Sequence, residues 1–181
     1  MEKSNKKRIK RVVLIGAEST GKTELAEFLA QQFNTVAVPE YARKYIEQLD
    51  RKYTYEDVLH IANKQLELEA IFSNKANGIL FYDTYFIITK IWLKVAFNKH
   101  PDWIDNKIKN SCIDLFLLCN NDIPWISDPV RENGGEMRNK LFEMYKQELI
   151  QYGLNYKIID GEGEDRYKKA FQIVNEFYKE N

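Results

Sequence analysis

Residues 16–23, GAESTGKT, carry the most specific chemical pattern in the sequence. They match G-x-x-x-x-G-K-[ST] at every fixed position, which is the pattern of a loop that binds nucleotide phosphates. Backbone N–H groups of such a loop surround the phosphate oxygens, and its glycines permit the dihedral angles that the loop requires. The lysine can reach the β- and γ-phosphates, and the hydroxyl that follows it can ligate Mg²⁺. We therefore predict an ATP and Mg²⁺ site whose phosphate ligands are Gly16, Glu18, Ser19, Thr20, Gly21, Lys22 and Thr23, together with Arg131.

Two carboxylic acids directly follow apolar segments that read as strands. Catalytic acids stand in this position in many enzymes. Asp83 ends the segment ILFYD and could hold Mg²⁺ or accept a proton from an attacking hydroxyl. It could instead cap a helix beginning at Thr84. Glu40, after TVAVP, could bind ribose hydroxyls or act as general base, or it could be a first-turn acid favoured by the helix dipole. Arg43 could pair with Glu40 or a phosphate, or be a solvated helix arginine. The sequence leaves open which acid is the base.

A polar stretch with prolines and the pair Gly134-Gly135 separates two later apolar segments. Its charged residues are Asp128, Arg131 and, just beyond the glycines, Arg138. Arginines on a hinged lid can neutralise the charge that develops during phosphoryl transfer and exclude water from the site. We predict a lid over about residues 124–138; the alternative is a charged surface loop.

Short apolar segments alternate with helical ones along the chain and would position these residues. The predicted strands are 11–15, 35–38, 79–82, 114–119 and 156–160. The predicted helices are 22–33, 40–49, 55–77, 85–98, 102–110, 136–151 and 164–179. Thr54 and Asp57 resemble a capping box at the start of the third helix. The alternation predicts an α/β fold, a parallel sheet with helices on both faces and ligands at the carboxyl ends of its strands.

Composition excludes several classes of protein. The chain has 181 residues, 44% of them hydrophobic, and a formal net charge of +0, which predicts one folded domain and no nucleic-acid partner. No apolar run is long enough to cross a bilayer or to form a signal peptide, so we expect a cytoplasmic location and no membrane partner. Two cysteines and two histidines lack metal-ligand spacing and are expected to be structural. Residues 1–10 form a basic arm ahead of a single domain, 11–181.

Five sequence blocks occur in one order over most of the chain: GAESTGKT, PEYARKY (39–45), YDTYFIIT (82–89), CNNDIPWISDPVR (119–131) and GGEMR (134–138). Their combination resembles the ribosylnicotinamide kinase domain of bacterial NadR proteins, in the P-loop kinase-like AAA/ATPase family. The resemblance implies an ATP- and Mg²⁺-dependent transferase of NAD biosynthesis, which phosphorylates the 5′-hydroxyl of nicotinamide riboside to give nicotinamide mononucleotide.

The resemblance also implies roles for individual residues. The implied catalytic residues are Lys22, Glu40, Asp83, Arg131 and Arg138, and the implied metal ligands are Thr23 and Asp83. The implied substrate contacts are Glu40, Tyr41, Arg43, Asp83, Thr84, Tyr85, Asn121 and Trp125. Tyr85 stands where the family tends to have a second acid. No H-x-G-H motif occurs and about ten residues precede the first predicted strand, so we expect neither adenylyl transfer nor repression of transcription.

The expected fold is a P-loop NTPase whose five-stranded parallel sheet has the nucleoside-monophosphate-kinase order 2-3-1-4-5, flanked by helices and closed by a lid. The long helices 55–77 and 85–98 would wall the acceptor pocket. The favoured activity is the kinase named above, with a small nucleoside as partner and a homo-oligomer compatible with the sequence. Two alternatives remain: a kinase of another nucleoside, and an ATP-hydrolysing regulatory switch.

Overall fold

The computed structural model describes residues 8–180, and within this range five strands alternate with seven helices. The strands are β1 (Lys10–Ile15), β2 (Ala37–Val38), β3 (Ile79–Asp83), β4 (Leu115–Cys119) and β5 (Tyr156–Ile159). The helices are α1 (Lys22–Gln32), α2 (Ala42–Glu47), α3 (Tyr55–Ser73), α4 (Phe86–Phe97), α5 (Asp102–Lys109), α6 (Gly135–Gln151) and α7 (Gly163–Glu180).

The five strands form one sheet in the order β2-β3-β1-β4-β5, and every pair is parallel. This confirms the predicted fold class and strand order. Strand β1 lies at the centre, and its register pairs Leu14 with Asp83 of β3 and Ile15 with Leu118 of β4. The carboxyl ends of these three strands therefore meet at one edge of the sheet, which is where ligands bind in such folds.

Both faces of the sheet are covered because successive side chains of each strand point to opposite sides. In β1, Val13 and Ile15 pack with residues of α3, α4, α5 and α6, whereas Val12 and Leu14 pack with residues of α1 and α7. All four side chains are fully buried, which explains why this segment reads as one apolar run in the sequence.

The structure departs from the predicted boundaries at two places that matter for the site. Asp83 is the last residue of β3, and α4 begins only at Phe86 with Tyr85 as its N-cap residue, so Asp83 does not cap that helix. Strand β2 is two residues long rather than four: it ends at Val38 as predicted but begins only at Ala37, because the Thr35 backbone N–H donates to the Ala30 carbonyl of α1 at 2.9 Å.

The start of α3 agrees with the sequence. Thr54 Oγ1 accepts a hydrogen bond from the Asp57 backbone N–H at 3.3 Å, and the Asp57 carboxylate accepts one from the Thr54 backbone N–H at 2.7 Å. This reciprocal pair is the predicted capping box. It fixes the entry into a helix that forms one wall of the candidate site.

A buried charge holds α4 against α5 and α6. Lys90, only 5% exposed, pairs with Glu148 at 2.5 Å and with Asp105 at 3.0 Å, and donates to the Tyr152 hydroxyl at 3.1 Å. These partners raise the pKa of Lys90 against the opposing effect of burial. The ammonium is therefore compensated on three sides, as a buried cation requires.

Most of the predicted basic arm, residues 1–7, lies outside the described residues. Within the described part, Arg8 pairs with Asp114 at 2.7 Å. None of the helices between residues 8 and 180 combines the length and the apolar character that spanning a membrane would need.

Candidate active site

The loop 16–21 connects β1 to α1 at the ligand-binding edge of the sheet. A Cβ on Gly16 would lie 2.8 Å from the Cys119 carbonyl oxygen, so the loop passes too close to β4 for any side chain there. Gly21 is the N-cap residue of α1 and has a φ of 70°, which favours glycine. Lys22 Nζ donates to the Ala17 carbonyl at 2.9 Å, so the lysine side chain lies over the loop.

Asp83, the last residue of β3, contacts Thr23, the second residue of α1. Thr23 Oγ1 donates to Asp83 Oδ2 at 2.6 Å. Asp83 is 2% exposed, and its Oδ1 is buried without a hydrogen-bond partner among the described residues. Burial raises the pKa of Asp83, and the nearby Lys22 ammonium and the Thr23 hydroxyl oppose that shift. One carboxylate and one hydroxyl beside a phosphate loop fit Mg²⁺, which takes few protein ligands and completes its shell with water and phosphate.

The backbone immediately after Asp83 is strained. Thr84 has a φ of 86°, an unusual value for a β-branched residue. Its backbone N–H donates to the Leu14 carbonyl at 3.0 Å, which holds this conformation. Its hydroxyl is buried and has no hydrogen-bond partner among the described residues. Strain of this kind concentrates at functional sites, and Thr84 is one of the residues that line the cavity described next.

Glu40 and Thr84 line the same small cavity, whose other walls come from α3 and α4 and include Gln65 and Trp92. Both helices that were predicted to wall an acceptor pocket line this cavity, which at about 20 Å³ has room for about one water molecule. Gln65 holds the Glu40 segment from both sides: its Nε2 donates to the Pro39 carbonyl at 3.2 Å, and its Oε1 accepts from the Tyr41 N–H at 3.3 Å. Burial and the charge of Asp83 raise the pKa of Glu40 to about 7, despite the opposing charges of Lys22 and Arg43.

Two predicted substrate residues after Glu40 lie at the mouth of the site. Tyr41 stacks near Tyr45, with ring centroids 5.9 Å apart, and its hydroxyl lies 3.5 Å from His60 Nε2. Arg43 Nη2 contacts Asp128 Oδ2 at 3.0 Å, which links α2 to the predicted lid. Asp128 Oδ2 also contacts Arg131 Nε at 3.0 Å, so the two arginines share this carboxylate, and Arg43 has a second partner in Glu47 at 3.0 Å.

Two side chains of the phosphate loop hold the predicted lid against that loop. Glu18 Oε2 accepts hydrogen bonds from the backbone N–H groups of Glu132 and Asn133 at 3.0 and 2.9 Å. Ser19 Oγ accepts one from the Ile126 N–H at 3.0 Å. The side chains of Glu18 and Ser19 therefore hold the lid, and only their backbone remains available for the predicted phosphate contact.

Arg138 is not placed as a lid arginine. Because α6 begins at Gly135, Arg138 lies in the first turn of that helix, and its guanidinium is 6% exposed. It donates to the carbonyl oxygens of Glu18, Ser19 and Ile123 at 3.1, 2.7 and 2.9 Å. The expectation that Arg138 acts directly on the transferred group is therefore corrected: its donors are directed at the phosphate-loop backbone.

Asn121 and Trp125 lie at the base of the lid rather than beside the acceptor cavity. Asn121 Nδ2 donates to the Arg138 carbonyl at 2.7 Å. The Trp125 ring centroid lies 5.8 Å from the Arg138 guanidinium, and a Cβ on Gly134 would approach the same ring to 3.1 Å. The two residues that were predicted to contact the nucleoside therefore pack around the hinge.

Tyr85 lies in the core and not in the cavity, which corrects its expected contact with the substrate. It is 2% exposed and packs edge-on against the rings of Phe86 and Phe116, with centroids 5.2 and 6.0 Å away. The left-handed conformation of Thr84 precedes this inward turn.

Two residues at the site were missed by the sequence analysis. Gln65 lies in the middle of α3 and gives no signal in the sequence, because its partners are 24 and 26 positions away. Arg166, in the first turns of α7, is 4% exposed and donates to the Thr20 carbonyl at 3.0 Å. Its position just after β5, at the ligand-binding edge, was the available signal.

The histidines and cysteines contribute no metal site within residues 8–180, where no group of three or more metal-ligating side chains is found. His100 Nε2 lies 2.8 Å from Asp105 Oδ2, on the α4–α5 connection. Cys119 is buried and Cys112 is exposed, and both are free thiols.

Three comparisons with known proteins agree with this geometry. A family described as an AAA domain matches residues 11–166. The trifunctional NAD biosynthesis/regulator protein NadR of Salmonella typhimurium is 28% identical over 183 residues, which cover 95% of this chain and 43% of that protein. This chain is therefore homologous to a segment of NadR and spans less than half of its length.

Two crystal structures of NadR proteins superpose on most of the chain. One, in complex with NR, has a TM-score of 0.80 at 27% identity and covers 94% of this chain and 51% of that one. The other, in complex with NAD and AMP-PNP, has a TM-score of 0.78 at 28% identity and covers 94% of this chain and 50% of that one.

Proposed function

We propose, from the premise that this chain belongs to the AAA domain family, that it is an ATP- and Mg²⁺-dependent kinase of the 5′-hydroxyl of nicotinamide riboside. In this proposal residues 11–181 form one kinase domain with a lid over about 124–138. The homology to NadR and the likeness to NadR structures that hold NR or AMP-PNP support this choice of acceptor and donor.

The observation that carries the proposal is the position of Glu40, which lines a small cavity with Thr84 and lies within reach of the charges of Lys22 and Asp83. A kinase needs an acceptor hydroxyl held next to the nucleotide, and a carboxylate that can take its proton.

Glu40 is the better candidate for the general base. A pKa of about 7 lets the carboxylate accept a proton near neutral pH and release it again. Asp83 already accepts the Thr23 hydrogen bond and faces the phosphate loop, which favours a role at the metal. The Thr84 hydroxyl, which is otherwise unpaired among the described residues, would orient the acceptor hydroxyl.

The remaining residues neutralise charge and exclude water. Mg²⁺, when bound, would be held by Thr23 and Asp83 and would offset the charge of the transferring group. Lys22 lies over the loop, where its ammonium can reach the terminal phosphates. Arg131 and Arg43 are held together by Asp128 at the lid, from where they can approach the phosphates when the carboxylate exchanges partners.

Initial rates of ADP formation test the proposal. Wild type, Glu40→Gln and the matched control Glu143→Gln, an exposed carboxyl of α6, would be assayed with nicotinamide riboside and with a panel of ribo- and deoxynucleosides. We expect nicotinamide riboside to be preferred, and Glu40→Gln to lower kcat by about 10²–10⁴-fold. The control should match wild type.

Three outcomes would overturn parts of the proposal. Preference for a different nucleoside would leave a kinase but change its acceptor. Hydrolysis of ATP that no small acceptor stimulates, but that a protein does, would favour the regulatory switch. Full activity of Glu40→Gln would remove Glu40 as the base. A cytoplasmic location, the lack of a nucleic-acid partner and a homo-oligomer stay predictions.

A further inference from the structure

Two buried arginines contact three consecutive carbonyl groups of the phosphate loop. Arg138 donates from Nε to the Glu18 carbonyl at 3.1 Å and from Nη2 to the Ser19 carbonyl at 2.7 Å. Arg166 donates from Nη2 to the Thr20 carbonyl at 3.0 Å. Arg138 lies on α6 and Arg166 lies on α7, so the two side chains come from different helices of the C-terminal third of the chain.

These contacts determine where the N–H groups of the loop point. A trans peptide directs its C=O and N–H to opposite sides, and no described peptide bond is cis. Because the carbonyls of residues 18, 19 and 20 face the arginines, the N–H groups of Ser19, Thr20 and Gly21 face away from them. The left-handed φ values of Ser19 (58°) and Gly21 (70°) are those of an anion-binding nest.

Other parts of the fold hold each guanidinium in place. Arg166 Nη1 pairs with Asp122 Oδ1 and donates to the Gly161 carbonyl, both at 2.9 Å. Arg138 Nη1 donates to the Ile123 carbonyl at 2.9 Å. The loop is thus joined by rigid groups to the segment after β4 and to the segment after β5.

We propose that Arg138 and Arg166 are positioning residues, which hold three phosphate-loop peptides so that their N–H groups face the nucleotide phosphates. This inference rests on the ATP site of the proposed function. The guanidinium groups act through the peptides and do not touch phosphate themselves. Their charge lies behind the loop, where it polarises the peptides in the direction that favours an anion.

Calorimetric titration of the full chain tests this without any acceptor. Adenosine, AMP-PNP with Mg²⁺, and tripolyphosphate with Mg²⁺ would be titrated into wild type, Arg166→Gln, Arg166→Lys and Arg138→Lys. The control is Arg8→Gln, because Arg8 also contacts a carboxylate and a backbone carbonyl but lies at the other edge of the sheet.

The informative quantity is the ratio of the adenosine Kd to the AMP-PNP Kd. A general loss of structure would weaken the binding of both ligands and so would leave this ratio largely unchanged. We expect this ratio and the tripolyphosphate affinity to fall by about 10–100-fold in Arg166→Gln. The Kd ratios of the two lysine variants should lie between those of Arg166→Gln and wild type, because lysine keeps the positive charge but lacks the forked set of guanidinium donors. Arg8→Gln should behave as wild type.

A measurement on wild type keeps the proposal testable if the variants fail to fold. With tripolyphosphate bound, through-hydrogen-bond coupling between ³¹P and ¹⁵N is expected at the backbone amides of Ser19, Thr20 and Gly21, and not at the arginine guanidinium groups. Coupling to either guanidinium, or an unchanged Kd ratio in folded variants, overturns the proposal. If wild type binds neither AMP-PNP nor tripolyphosphate, the proposed ATP site is overturned instead.

Discussion

Replacing Glu40 by glutamine should stabilise the protein at alkaline pH and leave its stability unchanged at acid pH. Glutamine keeps the shape of the side chain and removes the charge that is disfavoured in the cavity. The pKa of Glu40 rises from an ordinary 4.5 to about 7 through burial and the charge of Asp83.

The direction follows from proton binding. Between pH 4.5 and about 7 the folded chain keeps the Glu40 proton, whereas the unfolded chain releases it. The folded state therefore binds more protons in this window, and the free energy of unfolding of wild type falls as the pH rises. The neutral form contributes its full stability below pH 4.5, and that contribution is lost as the pH rises through about 7.

The size of the effect is about 1.4 kcal/mol for each pH unit between the two pKa values, or about 3 kcal/mol in total. Partial access of solvent to Glu40 reduces this to about 2 kcal/mol. For a domain of this length, 2 kcal/mol corresponds to a melting temperature that is higher by about 4–8 °C. Because Asp83 is part of the cause, the measured difference belongs to the pair of acids.

Urea unfolding of wild type, Glu40→Gln and Glu143→Gln would be measured from pH 5 to pH 9 with EDTA and without nucleotide. Groups that are common to all three proteins contribute equally to each, so their contribution cancels in the differences. We expect the stability advantage of Glu40→Gln over wild type to be smallest at pH 5, to grow up to about pH 7 and to stay constant above that, while Glu143→Gln follows wild type. A constant difference across pH, or a less stable variant at pH 9, would refute the reasoning.

Four further predictions concern single side chains. Lys22→Ala should lower kcat about 100-fold or more with little change in unfolding, since its ammonium lies over the loop; an active variant would contradict the assignment. Gly16→Ala should cost about 1–3 kcal/mol in urea unfolding because its Cβ would lie 2.8 Å from a carbonyl oxygen, and wild-type stability would show that the loop can shift. Glu18→Gln should speed limited proteolysis of the lid, since a neutral amide accepts the two N–H groups less strongly; equal cleavage rates would deny that the carboxylate holds the lid. Glu148→Met should cost about 3 kcal/mol in urea unfolding by leaving Lys90 undercompensated, and a cost below about 1 kcal/mol would mean that Asp105 and Tyr152 suffice.

The parts of the molecule that the sequence predicts are those set by local chemistry. The phosphate loop has fixed spacing, the capping box of α3 spans four residues, and the strands are continuous apolar runs. The strand order follows from the resemblance rather than from any strand by itself. Each of these features depends on neighbouring residues or on a pattern that covers most of the chain.

The parts that the sequence does not predict depend on contacts across long separations. Arg138 reaches carbonyls that are 119 and 120 positions away, and Arg166 reaches one that is 146 positions away. Arginines would also serve on a lid, so only the packing of the folded chain decides between a lid role and a role behind the phosphate loop. Tyr85 shows the same limit, because the backbone turn at Thr84 sends the ring inward, and a single φ value is not readable from residue types.

The formal net charge of zero is consistent with this site because electrostatics act over short distances. Exposed charges beyond about 8–10 Å are largely screened at physiological salt, so the total charge says little about the potential at one loop. Around the phosphate loop the structure places Lys22 above the backbone and two guanidinium groups behind it, all three in contact with loop carbonyls. Buried cations act at low dielectric, where each is worth more than a fully solvated cation. A protein of balanced composition can therefore bind a polyanion, provided that its few buried cations are directed at the same peptides.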